Sequence, residues 1–188
     1  MNETAFWQII ELSKGNPTLS FETQCVIMSD ELMAHTPEEI IAFEHILRQK
    51  MELANTWPLM AASFVVCSFI ADDIFEDFRA WIVGQGKTNF EKIIKDPNHI
   101  CQILTPNLAK NLQGEHMLYV AANAYLEKMN ADDEATFYNQ IPAVATKEVK
   151  TKWPETKNDF RKLLPKLYDT FWNEKRIQER IAEAESNA

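Results

Sequence analysis

From Leu53 to Ala71 the chain runs 19 residues without a charged side chain. The next stretch, "DDIFEDFRAWIVGQG" from Asp72 to Gly86, mixes acids and one arginine with bulky apolar groups. Asn55, Thr56 and Pro58 interrupt the first part of the uncharged run, leaving less than the roughly 20 apolar residues that a bilayer-spanning helix needs. A helix from Trp57 to about Ile70 is then apolar on nearly every side, and such a helix is stable in water only when other elements surround it. The expectation is a central helix wrapped by others, with no membrane contact.

The remaining segments repeat apolar residues at intervals of three and four, and strand-like alternation is hard to find. The pattern predicts an all-α fold: a single compact domain of about seven to nine helices over residues 1–171, with a helical tail over 172–188. Helix one is expected from about Asn2 to Lys14, stopped by "GNP" at Gly15 to Pro17, and a second helix runs to about Met33. "TPEE" at Thr36 predicts a capping box, with the threonine hydroxyl and the Glu39 carboxylate each taking an orphan amide. Helix three follows, with Ile40, Phe43, Leu47 and Met51 facing inward. Gly86 is expected to end the Asp72 helix in a left-handed conformation, and "TNFE" at Thr88 predicts a second capping box. A helical periodicity covers Glu115 to Met129; Asn130 to Pro154 reads mostly as loop, and Pro165 should break the C-terminal helix.

On a helical wheel, Ile74, Phe75, Phe78, Trp81 and Ile82 form one stripe, with Gln85 inside it and Arg79 at its edge. Asp72, Asp73 and Glu76 could form a carboxylate cluster for general-base or metal chemistry, with Arg79 taking an anionic group. Helix physics explains the same acids more simply: Asp73 as N-cap, Glu76 as its third-position partner, and Arg79 paired with Glu76 on the surface. Gln85 is less readily explained, because an amide on an apolar stripe must be hydrogen bonded or face a cleft. Arg79 and Gln85 are therefore the first candidates for a binding site, ahead of Asp72, Asp73 and Glu76.

No catalytic residue, metal site or cofactor is predicted. His35, His45, His99 and His116 lack ligand spacing, and Cys25, Cys67 and Cys101 include no Cys-x-x-Cys pair. Gly-x-Gly-x-x-Gly, the Walker loop and Gly-x-Ser-x-Gly are absent from a chain with Gly 4. Unpaired cysteines and no secretory segment at the start point to a reducing, cytoplasmic setting.

The net charge of −9 is uneven: residues 1–146 carry 9 Lys and Arg against 20 Asp and Glu, and residues 147–188 carry 10 against 8. An acidic body repels phosphate backbones, which disfavours nucleic acid and favours a basic protein partner.

The stretch "DDIFEDFRAWIVGQG" resembles the signature of a bacterial family catalogued as domain of unknown function 4240. "FWQIIE", "TPEEIIAFEHIL", "MLYVAANAYLEK" and "FRKLLPKLYDTF" agree with it in order, over roughly residues 6–171. The resemblance implies a helical fold and a bacterial origin, and carries no reaction. It also implies a small, Gly-containing turn before the paired aspartates, where this sequence has Ser68, Phe69, Ile70 and Ala71. A pocket opened by such a turn is expected to be filled here. Two functions follow as expectations. The first is a non-enzymatic acidic module that binds a basic protein, by analogy with immunity-type inhibitors of bacterial toxins. The second is a carboxylate or metal enzyme using Asp72, Asp73, Glu76 and Arg79.

Overall fold

The computed structural model describes residues 1–15, 19–149 and 153–186, so part of the "GNP" stop lies outside the described residues. Among these residues there are helices and no strand, and the all-α architecture holds. The α-helices are α1 (Glu3–Ser13), α2 (Phe21–Leu32), α3 (Pro37–Leu53), α4 (Trp57–Cys67), α5 (Asp72–Gly84), α6 (Lys87–Lys95), α7 (His116–Met129), α8 (Ala135–Tyr138), α9 (Lys157–Leu163), α10 (Pro165–Phe171) and α11 (Glu174–Ser186). Two 3-10 turns, Pro97–Gln102 and Leu108–Asn111, join α6 to α7.

α4 is packed by α5, α9, α10 and both 3-10 turns, which cover the many sides of an apolar helix. Leu59, Ala61, Ala62 and Val65 have at most 1% exposure. α7 is the second hub, against α2, α3, α5 and α8. Small residues on α7, Ala121, Ala122 and Ala124, are buried there and let the neighbouring helices approach closely.

The Thr36 capping box forms as expected: Thr36 Oγ1 accepts from the Glu39 amide at 3.3 Å, and Glu39 Oε2 accepts from the Thr36 amide at 3.1 Å. Two other helix starts differ from the sequence reading. α5 begins at Asp72 after Ala71, so Asp73 is not the N-cap; its Oδ1 accepts from the Ile74 amide at 2.8 Å from within the first turn. α6 begins at Lys87, which places Thr88 inside the helix and removes the second capping box. The Lys87 amide is instead taken by Glu11 Oε1 of α1 at 3.2 Å, a long-range partner that local sequence cannot reveal.

Between α4 and α5 the chain bends by 100°. Ser68 makes that corner at φ 62°, a left-handed conformation that favours glycine, at the position where the family resemblance implies a Gly-containing turn. Gly86 has the expected positive φ, 84°.

Beyond α8, residues 142–149 have no regular structure. Pro165 separates α9 from α10, and Thr156 and Asp159 cap α9 with a box that the sequence reading passed over. Phe160 packs on Phe64 of α4 with ring centroids 5.1 Å apart, and Trp153 and Trp172 complete the cluster. α11 follows, with Ile177 buried and the Arg180 guanidinium 5.6 Å from the Phe69 ring centroid.

Candidate functional site

Glu44, Arg48, Met51 and Glu52 stand four, three and one residues apart on α3, so they share one helix face. Glu76 and Arg79, three apart on α5, face them across a cleft of about 540 Å³. Leu118 and Tyr119 of α7 and Tyr138 of α8 form further walls, and the irregular segment adds Val144 and Thr146. That segment is held against α3 at two points: His45 Nδ1 donates to the Pro142 carbonyl at 3.1 Å, and the Lys147 amide donates to Glu52 Oε1 at 2.7 Å.

Among the described residues Glu44 is the most deeply placed charge, at 4% exposure. Its Oε1 accepts from Arg48 Nε at 2.8 Å, while its buried Oε2 has no partner among the described residues. Burial pushes the Glu44 carboxyl above its ordinary pKa, and the Arg48 hydrogen bond and charge pull it back only in part. Arg48 also lies over the Tyr138 ring, 5.6 Å from its centroid.

Arg79 is half-buried and makes no ion pair with Glu76, contrary to the surface pairing expected from sequence. Nε donates to the Phe75 carbonyl at 3.3 Å and Nη1 to the Met51 carbonyl at 3.4 Å, in the last turn of α3. There the guanidinium supplies both a donor and a positive charge at the negative end of the helix dipole. Its carbon lies 4.8 Å from the Phe75 ring centroid, and burial lowers its pKa.

The five candidate residues thus separate. Glu76 and Arg79 line the cleft, whereas Asp72 and Asp73 are exposed at the start of α5 and do not. Gln85 lies beyond the last residue of α5, where Nε2 donates to the Trp81 carbonyl at 3.2 Å and its own carbonyl accepts from Lys14 Nζ at 2.9 Å. Its amide closes a helix end and is no part of the cleft.

The sequence reading missed Glu44, Arg48 and Glu52. Glu44 falls beside Phe43 on the buried face of α3, and a carboxylate so placed with an arginine four residues on was a visible sign of a buried ion pair.

A second electrostatic feature lies at the start of α5. Asp77 is pushed up to about 6, first by burial and then by the charges of Glu115, Asp73 and Glu76, with His116 acting in the opposite direction. Gly114 brings Glu115 close, because a Cβ at this position would collide with the Asp77 carbonyl. None of Asp73, Glu76, Asp77 and Glu115 has an ion-pair partner among the described residues.

Among the described residues no three His, Cys, Asp or Glu side chains are grouped to hold a metal ion. Burial pushes the thiols of Cys25 and Cys67 up to about 12 and about 11, which keeps them protonated and poorly nucleophilic near neutral pH. Among the described residues no single helix is long and apolar enough to cross a membrane.

The architecture is that of an all-helical domain with a mixed-charge cleft between α3, α5 and α7 and an acidic face beside it. The chain belongs to the family described as "Protein of unknown function (DUF4240)", whose model matches residues 1–127. That span contains both charged walls of the cleft, while Tyr138, Val144 and Thr146 lie beyond it. No curated protein and no solved structure matches the chain.

Proposed function

We propose that this protein is a non-enzymatic binding module whose acidic face engages a basic protein, in the manner of an immunity-type inhibitor of the bacterial cytoplasm. The observation that carries this reading is the crowding of Asp73, Glu76, Asp77 and Glu115, none of them in an ion pair among the described residues. After burial, the charges of the other three are what hold Asp77 at about 6, against the pull of His116. A basic partner relieves that repulsion on binding, and the negative field accelerates encounter. Exposed apolar groups lie on the α2 and α7 side: Val26 is 55% exposed and Tyr119 46%. With Glu22, Asp30 and Glu127 along the same groove, they supply contact area within an acidic rim.

The test is affinity capture from the native host with the parent and with a Glu76→Lys, Glu115→Lys double variant. The parent should retain a basic protein at low ionic strength and release it at about 0.5 M salt, where exposed charges are screened beyond a few ångströms. The variant should retain none. Equal retention by both, or retention insensitive to salt, refutes the reading.

A further inference from the structure

We propose that the cleft between α3, α5 and α7 is a small-molecule site that takes a free α-amino acid with an apolar or aromatic side chain, its head group recognised by the Glu44–Arg48 pair. The cleft adjoins the acidic face and shares Glu76 with it, but the head-group pair, Glu44 and Arg48, is no part of that face, and binding there does not depend on a protein partner.

The cleft carries both signs of charge, which narrows the ligand. A simple anion would meet Glu44, Glu52 and Glu76, and a simple cation would meet Arg48 and Arg79. A zwitterion can satisfy both. In the Glu44–Arg48 pair a carboxylate and a guanidinium are held one hydrogen bond apart, 2.8 Å. An α-amino acid presents its ammonium and carboxylate at a similarly short separation, so it can lie head-to-tail along the pair, with the ammonium towards Glu44 and the carboxylate towards Arg48.

Each residue has capacity left for this role. Glu44 Oε2 is buried and makes no hydrogen bond to the described residues, and a buried acceptor without a donor costs free energy until one arrives. An ammonium group supplies three donors. Arg48 uses only Nε, towards Glu44, and its terminal N–H groups make no hydrogen bond to the described residues. The rest of the lining suits an apolar body: Met51, Leu118 and Val144, with the rings of Tyr119 and Tyr138. A volume of about 540 Å³ lies within the range of small-ligand sites.

The probes are L-phenylalanine and L-leucine, compared with N-acetyl-L-phenylalanine, which lacks the ammonium, and L-phenylalaninamide, which lacks the carboxylate. Binding is followed by ligand-detected NMR and calorimetry on the full chain. Both free amino acids should bind, and each blocked analogue should be at least about tenfold weaker, as expected for loss of one charge-assisted hydrogen bond. Glu44→Gln keeps the shape of the side chain but replaces the Oε2 acceptor, and should weaken L-phenylalanine by a similar factor. Val144→Trp, on the irregular segment, should block the cleft while leaving the melting temperature near that of the parent, and decides the matter if Glu44→Gln fails to fold. The proposal is overturned if neither amino acid binds the parent at about 10 mM. It is equally overturned if the blocked analogues bind as well as the free ones, or if Val144→Trp binds undiminished.

Discussion

Ser68 holds φ 62° and buries a hydroxyl that has no hydrogen-bond partner among the described residues. Left-handed backbone costs a residue with a Cβ about 1–2 kcal/mol, and an unpaired buried hydroxyl adds to the cost. Glycine at this corner removes both, at the expense of a more flexible unfolded chain. Ser68→Gly should therefore stabilise the protein by about 1 kcal/mol in urea unfolding; a loss of stability would show that the hydroxyl is satisfied in solution. The opposite case is Gly114, where a methyl group would collide with the Asp77 carbonyl, a backbone atom that cannot rotate away. Gly114→Ala is expected to cost roughly 2 kcal/mol or more by the same measurement, within the range seen for overpacking.

At the level of single helices, the starts of α3 and α5 make a controlled comparison. α3 has a complete capping box, whereas Asp73 on α5 bonds only the next amide in the chain. Thr36→Ala should cost about 1 kcal/mol and Asp73→Ala distinctly less; equal losses in thermal melting would restore Asp73 as the effective cap. The contact of α5 with the start of α7 also sets a pH dependence. Asp77 keeps its proton to about 6 in the fold, against an ordinary value of 3.8. The folded state therefore binds more protons than the unfolded state between those values, and acidification from pH 7 through about 6 adds stability from this group. Glu44, also raised, acts in the same sense. Glu3, Glu39, Asp159 and Glu174, all lowered, act in reverse, and their stabilisation fades as pH falls from the ordinary value of 4.5 or 3.8 through their folded values. The melting temperature should rise between pH 7 and about 5, and Asp77→Asn should remove most of that rise. A flat profile in the parent would contradict the burial of Asp77 among the carboxylates at this junction.

Across the whole molecule, the aromatic cluster of Phe64, Trp153, Phe160 and Trp172 ties the C-terminal helices to α4, with ring centroids 5.1–6.0 Å apart. Phe160→Ala should cost roughly 3–5 kcal/mol, and unfolding should remain one transition by fluorescence and circular dichroism alike; two separated transitions would mark α9 to α11 as an independent unit. Most helices were legible because an apolar stripe repeats with the turn of the helix, as with Ile40, Phe43, Leu47 and Met51 on α3. The cleft was legible only in part. Arg79 stood out at the edge of a stripe, but its carbonyl partner Met51 lies on another helix, and no spacing encodes such a contact. Gln85 was singled out for the correct reason, an amide that needs a bond, yet that bond closes its own helix. Glu52 has a local partner in Asn55, which donates to its Oε2 at 3.3 Å, but its tie to the cleft wall, through the Lys147 amide, spans 95 residues and no spacing encodes it.

The clasp between α1 and the α5–α6 corner bears on the order of assembly. Glu11 holds the Lys87 amide and Lys14 holds the Gln85 carbonyl, partners 76 and 71 residues away. During synthesis the first helix emerges long before either exists, so it must wait with those two side chains in water, and the corner can lock only after about half the chain has been made. Exchange of the Lys87 amide with deuterium thus reports whether α1 is docked, and its protection should be among the later signals to appear on refolding.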